Sequence, residues 1–166
     1  MLKSNESQVM LKSERVASTK SIALVAHDGR KAELIDWVHQ HWRALVHADL
    51  VCTGTTGRLV NAALRQHLDS EGMTIPIRLR CLQSGPLGGD QQLGAMIVDG
   101  HIEALVFFWD PMCAQPHDAD VKALLRIAVM YNVLLACSQR TGDCVMSTLF
   151  QSVREHPQPR VLSSAS

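Results

Sequence analysis

The chain has 166 residues, 46% of them hydrophobic, which is the size and apolar content of one ordinary domain with a single core. Sixteen Lys and Arg balance sixteen Asp and Glu with no basic block, so a broad nucleic-acid or anionic-membrane surface is excluded and any bound anion is small and locally held. The five cysteines are odd in number, irregularly spaced and without a C-x-x-C pair, as expected of reduced thiols in a cytoplasm.

Residues 1–20 mix acids, bases and serines and hold no apolar run suited to a signal peptide or membrane span, so they are expected to form a polar leader. SIALVA at 21–26 predicts a first strand, stopped by His27, Asp28 and Gly29, and Leu34, Ile35, Trp37, Val38, Trp42 and Leu45 then form a helical stripe. Residues 48–52 repeat the pattern: a strand, the pentapeptide TGTTG at 53–57, and a helix marked by Leu59, Val60, Ala63, Leu64 and Leu68. Residues 78–82 alternate like a strand with one solvated face. SGPLGGD then leads into a helix carrying Leu93, Met96 and Ile97 that Gly100 can end. Residues 104–108 are wholly apolar and predict a central strand. Asp118 or its neighbour is placed to cap the next helix, with Val121, Leu124, Leu125 and Ala128 on its buried stripe. Residues 133–137 supply a fifth strand and 141–150 a last helix, before a tail over 151–166.

Alternating strands and helices with apolar strands predict one α/β domain over 21–150, a doubly wound parallel sheet covered on both faces. Four polar clusters, at 27–29, 53–57, 84–90 and 110–120, each follow a strand and precede a helix. They therefore meet at the carboxyl edge of the sheet, where such folds bind ligands.

TGTTG offers hydroxyls from Thr53, Thr55 and Thr56, close approach at Gly54 and Gly57, and the N–H groups of a helix start, which is the form of a phosphate cradle. A capped turn explains the same pentapeptide equally well, and the P-loop spacing is absent. Lys31 sits near the same edge, either as a solvated lysine or as a partner for phosphate charge. Ser84 and Gly85 offer one hydroxyl and one N–H. Asp90 reads first as a helix-capping aspartate and, beside a bound phosphate, as a general base. His117 and Asp120 admit a capping box, a proton-transfer pair or a metal site, and dispersed ligands disfavour the metal. Asp110 either ties its own loop or contacts a site residue, while Arg126 is expected to pair with Asp120 or Asp118. His39 and His41, two apart on a helix, point to different faces and are poor joint ligands.

Taken together, AHD at 26–28 with Lys31, TGTTG at 53–57, SGPLGGDQQ at 84–92, FFWDP at 107–111 and PHDADVKALLR at 116–126 resemble the methylglyoxal synthase family, in order from about Ile22 to Phe150. The resemblance implies a Rossmann/flavodoxin-type three-layer sandwich that turns dihydroxyacetone phosphate into methylglyoxal and inorganic phosphate. It also implies no metal or organic cofactor, a homohexamer, and free phosphate as a competitor. Asp90 falls on the catalytic base. His117, Asp28 and Asp120 complete the catalytic set, the two aspartates in supporting roles with Arg126. His27, Lys31, Thr53, Gly54, Thr55, Thr56, Ser84, Gly85 and His117 fall on substrate-binding positions. The stretch 65–81 is longer than the family pattern, implying a surface insertion or an altered third strand. Neither Arg154 nor Arg160 can be matched to the family's C-terminal arginine. The rival reading is a non-catalytic, small-phosphate-binding regulatory domain of the same fold, similar to the effector domain of carbamoyl phosphate synthetase. Such a domain has no need of Asp90 and His117.

Overall fold

Ile22 to Ala26 are buried at every position, and so is the whole of Ala104–Phe108, because each strand has apolar side chains for both faces of a sheet. A computed structural model of the chain describes residues 20–114 and 116–150. The leader through residue 19, the tail from 151, and with it Arg154 and Arg160, lie outside the described residues. Five parallel strands, β1 (Ser21–Ala26), β2 (Asp49–Thr53), β3 (Arg78–Leu82), β4 (Ala104–Phe108) and β5 (Leu134–Ala136), form one sheet in the order β3-β2-β1-β4-β5.

Alternate residues along the strands separate two cores. Ile22, Leu24 and Ala26 pack with α1 (Lys31–Leu45), α2 (Gly54–Ser70) and α5 (Gln139–Phe150), whereas Ala23 and Val25 pack with α3 (Gly89–Val98) and α4 (Asp118–Met130). The sheet is therefore doubly wound, as its alternating pattern predicts. The buried Trp37 indole N–H donates to Asp143 Oδ1 at 2.9 Å, an atom that also meets His41 Nε2 at 2.8 Å, which fixes α5 against α1. His39 instead meets His67 of α2, Nδ1 to Nε2 at 2.9 Å, so the two histidines do face different neighbours.

Element boundaries differ from the sequence reading by one or two residues, and one shift has consequences. TGTTG is not a loop before α2: Thr53 ends β2 and Gly54 already opens the helix, so the cradle is the helix's own first turn. Across 65–81, α2 runs on to Ser70 and an exposed connection follows. β3 nonetheless keeps parallel register with β2, from Asp49↔Arg78 to Thr53↔Leu82. The stretch thus forms the end of a helix, a surface connection and a third strand that keeps its register.

Gly57, in that first turn, stands over the β2–β3 thiols. A Cβ there would lie 2.5 Å from Cys81 Sγ and 3.1 Å from Cys52 Cβ. Gly57→Ala is expected to destabilise the fold by about 1–3 kcal/mol through this overlap, with part of the loss recovered in Gly57→Ala/Cys81→Ala. Urea midpoints check this, and equal loss in the single and double variants would contradict it.

Candidate active site

The strand order reverses between β1 and β4, so the connections leaving these strands part to opposite faces and open a crevice at their carboxyl ends. A cavity of about 510 Å³ occupies it, lined by His27, Asp28, Lys31, Thr53 to Thr56, Ser84, Gly85, Pro86, Asp90 and His117, with Val25, Ala26 and Phe107 as apolar wall. All four polar clusters contribute lining residues, the fourth through His117.

On one side stands the cradle. Thr53 and Thr56 are buried, and the Lys31 ammonium donates both to Asp28 Oδ1 at 2.5 Å and to Thr55 Oγ1. Asp28 is otherwise 95% exposed, so its role at the wall is to hold Lys31, whose charge in turn keeps the Asp28 carboxyl below its usual pKa through that hydrogen bond. Gly54 must be glycine: its φ is 41° and a Cβ would stand 3.0 Å from Ser84 Cα. Its N–H is engaged by Gln83 O at 3.2 Å, so the amides that α2 presents to an anion are those that follow it.

Asp90, in the first turn of α3, lines the same cavity and is 4% exposed. It does not cap α3, because Gly88 at φ 99° occupies the N-cap position. Its Oδ2 is buried with no hydrogen-bond partner among the described residues. Burial raises its pKa above the ordinary value, against the opposing pull of His117, and the Asp120 charge pushes the same way as burial. His117 Nε2 sits 3.7 Å from Asp90 Oδ2. Gly85 leaves room beside both groups, since a Cβ there would come within 3.0 Å of His117 Nε2 and 3.1 Å of Asp90 Oδ2.

His27 completes the group. The Asp110 backbone N–H donates to its Nδ1 at 3.2 Å, which places the neutral ring's proton on Nε2. That Nε2 is buried and has no partner among the described residues. Burial, and after it His117, lowers the His27 pKa, so a neutral donor faces the cavity. The ring stands edge-on to Phe107 at 5.3 Å and to His117 at 6.0 Å.

Three predicted residues stay outside the lining. Asp110 acts through its backbone and accepts the Met112 N–H on Oδ1 at 3.1 Å, so both contacts considered for it occur. Asp120 reaches the site through its field on Asp90. Arg126 is exposed, with its guanidinium on Met130 Sδ at 3.3 Å, and no ion pair joins it to Asp120 among the described residues. Val25, Ala26, Pro86 and Phe107 were not foreseen as lining, because their sequence signals are those of core and turn. Among the described residues, no group of three His, Cys, Asp or Glu is placed to hold a metal ion, and no helix is long and apolar enough to cross a membrane.

A family model for the MGS-like domain matches residues 33–137. Methylglyoxal synthase of Leptospira interrogans is 49% identical over 83% of this chain and 86% of its own. That of Coxiella burnetii is 45% identical over 85% of this chain and 91% of its own. A crystal structure of methylglyoxal synthase from Elizabethkingia anophelis, 46% identical, superposes with a TM-score of 0.64 over 78% of each chain.

A carboxyl whose pKa is raised by folding binds its proton more readily in the native state than in the unfolded chain, so stability falls as pH rises from the ordinary aspartate range through the raised value. Asp90→Asn removes that cost. It is expected to raise the melting temperature at about pH 7.5, with the gain shrinking towards about pH 4. Thermal melts across this range check it, and a lower melting temperature at the upper end would show that the ionised carboxylate has compensating bonds.

Proposed function

The chain belongs to the methylglyoxal synthase family, and from that premise we propose how its own residues eliminate phosphate from dihydroxyacetone phosphate to give methylglyoxal. The observation that carries this reading is a desolvated carboxylate in the same cavity as two imidazoles and a threonine-lysine cradle. A domain that merely bound phosphate would lose affinity by facing an anion with a buried carboxylate. A base that must take a carbon-bound proton gains from it, because a raised pKa strengthens the base.

The phosphate is held by Thr53, Thr55, Thr56, Ser84 and Lys31. Asp90 removes a proton from the hydroxymethyl carbon, and the electron pair passes into the adjacent carbonyl to form an enediolate. His27 Nε2–H and His117 donate to the oxygen where charge develops. The terminal hydroxyl then gives its proton to the leaving phosphate oxygen and its bond pair forms the aldehyde carbonyl. The enediolate double bond shifts toward the third carbon, the bond between that carbon and the phosphate oxygen breaks, and phosphate leaves with Lys31 beside it while the Asp90 proton passes to the middle oxygen. The enol so released ketonises to methylglyoxal. Elimination requires that C–O bond to stand out of the enediolate plane, so the cradle has to fix the angle of the phosphate as well as its place. Free phosphate competes for the same donors.

A homohexamer in a reducing cytoplasm belongs to the same proposal. Val98, Val129, Met130 and Tyr131 leave apolar surface exposed at the ends of α3 and α4, which subunit contact would cover, and Cys52, Cys81, Cys137 and Cys144 are free thiols among the described residues. Sedimentation equilibrium should give six chains, and a monomer would contradict the assembly.

Purified protein incubated with dihydroxyacetone phosphate should release phosphate and methylglyoxal in equal amounts, and no release above the uncatalysed rate would overturn the reading. Asp90→Asn should lose at least about 100-fold in kcat while still binding phosphate. Near-normal turnover in that variant would place the base elsewhere.

A further inference from the structure

Gln83 is the first residue beyond β3, the edge strand, and its backbone joins the two halves of the cavity. Its carbonyl accepts the Gly54 N–H at 3.2 Å, at the start of the cradle. Its own N–H donates to the side-chain Oε1 of Gln92 at 2.9 Å, on α3 and two residues beyond Asp90. Gly89, which precedes Asp90, lies so close to the same peptide that a Cβ there would stand 2.1 Å from Gln83 O. The cradle's helix and the helix that carries Asp90 thus meet on one peptide, and Gln92 holds that peptide from the Asp90 side.

We infer that Gln92 is a positioning residue that sets the separation between Asp90 and the threonine cradle. The alternative is that it simply satisfies an edge N–H, and energetics separate the two. This hydrogen bond is exposed, so water can replace the Gln92 oxygen at little cost to stability. What water cannot replace is the tether from α3 to the Gln83 peptide. The reaction needs the phosphate and the reacting carbon held at the two ends of one short, partly planar molecule, so a shift between cradle and base misaligns the proton transfer. A displacement of about 1 Å costs on the order of 100-fold in an oriented step. Phosphate binding, in contrast, draws on Lys31, the cradle threonines and Ser84 and makes no use of Asp90. Loss of the tether should therefore appear in kcat and leave KM, phosphate inhibition and thermal stability near their parent values. This inference rests on the proposed role of Asp90 as the base.

The test uses the full chain and three variants. Gln92→Met keeps the length of the side chain but lacks the acceptor, and Gln92→Glu keeps an acceptor in the same place. Gln92→Met is expected to lose about 10-fold or more in kcat, within the range that misorientation produces, with KM, competition by inorganic phosphate and melting temperature little changed. Gln92→Glu should recover most of that kcat. Parent-like kcat in Gln92→Met, equal losses in the Met and Glu variants, or a loss that follows a fallen melting temperature or lost phosphate competition would each overturn the inference. Asp90→Asn, assayed alongside, separates the two readings. If it turns over normally, the base assignment has failed. If it is inactive while Gln92→Met is parent-like, the positioning role alone has failed.

Discussion

The Asp90 carboxylate is buried with no partner for Oδ2 among the described residues, and the chemistry of the cavity follows from that unfavourable placement. An ionised carboxylate out of water costs several kcal/mol unless charge or hydrogen bonds offset the loss. Here the offsets are partial: the first turn of α3 presents its positive end, and His117 stands at 3.7 Å rather than in hydrogen-bond contact. The group is left more basic than an aspartate in water, within reach of a ligand. That is a poor arrangement for stability and a good one for taking a proton from carbon.

The same logic extends to its neighbours. His27 is kept neutral by burial and aimed by the Asp110 N–H, so it donates without bringing a second charge. Lys31 is the cation lining the cavity, and Asp28 and Thr55 hold it at the cradle rather than beside Asp90. Lys31 is thus engaged by other partners and forms no ion pair with Asp90 among the described residues, as proton removal and phosphate departure require. A direct ion pair would quench both.

Much of this was legible in the chain. The apolar strands and helical stripes gave the doubly wound sheet, and the placement of polar clusters after strands put His27, Thr53 to Thr56, Ser84, Gly85, Asp90 and His117 at one edge. The residues that escaped did so for identifiable reasons. Asp90 looks like a helix cap because the left-handed Gly88 that takes this position is visible only in the backbone. The tautomer of His27 depends on an amide 83 residues away. Phe107 and Val25 read as core, and they are core; the cavity merely reaches the ends of their strands. Arg126 was expected to pair with a helix acid, yet its side chain turns to Met130, a choice between close neighbours that spacing does not decide. Gln92 stood in the sequence only as the end of SGPLGGDQQ, with no sign of its partner, which is a backbone N–H.

The central claim, that Asp90 takes a proton from the hydroxymethyl carbon before phosphate leaves, is tested most directly by following that carbon's hydrogens by NMR in deuterated water together with phosphate release, in the parent and in Asp90→Asn. The variant should bind the substrate but neither exchange those hydrogens nor release phosphate. Exchange or release at the parent rate in Asp90→Asn would contradict it.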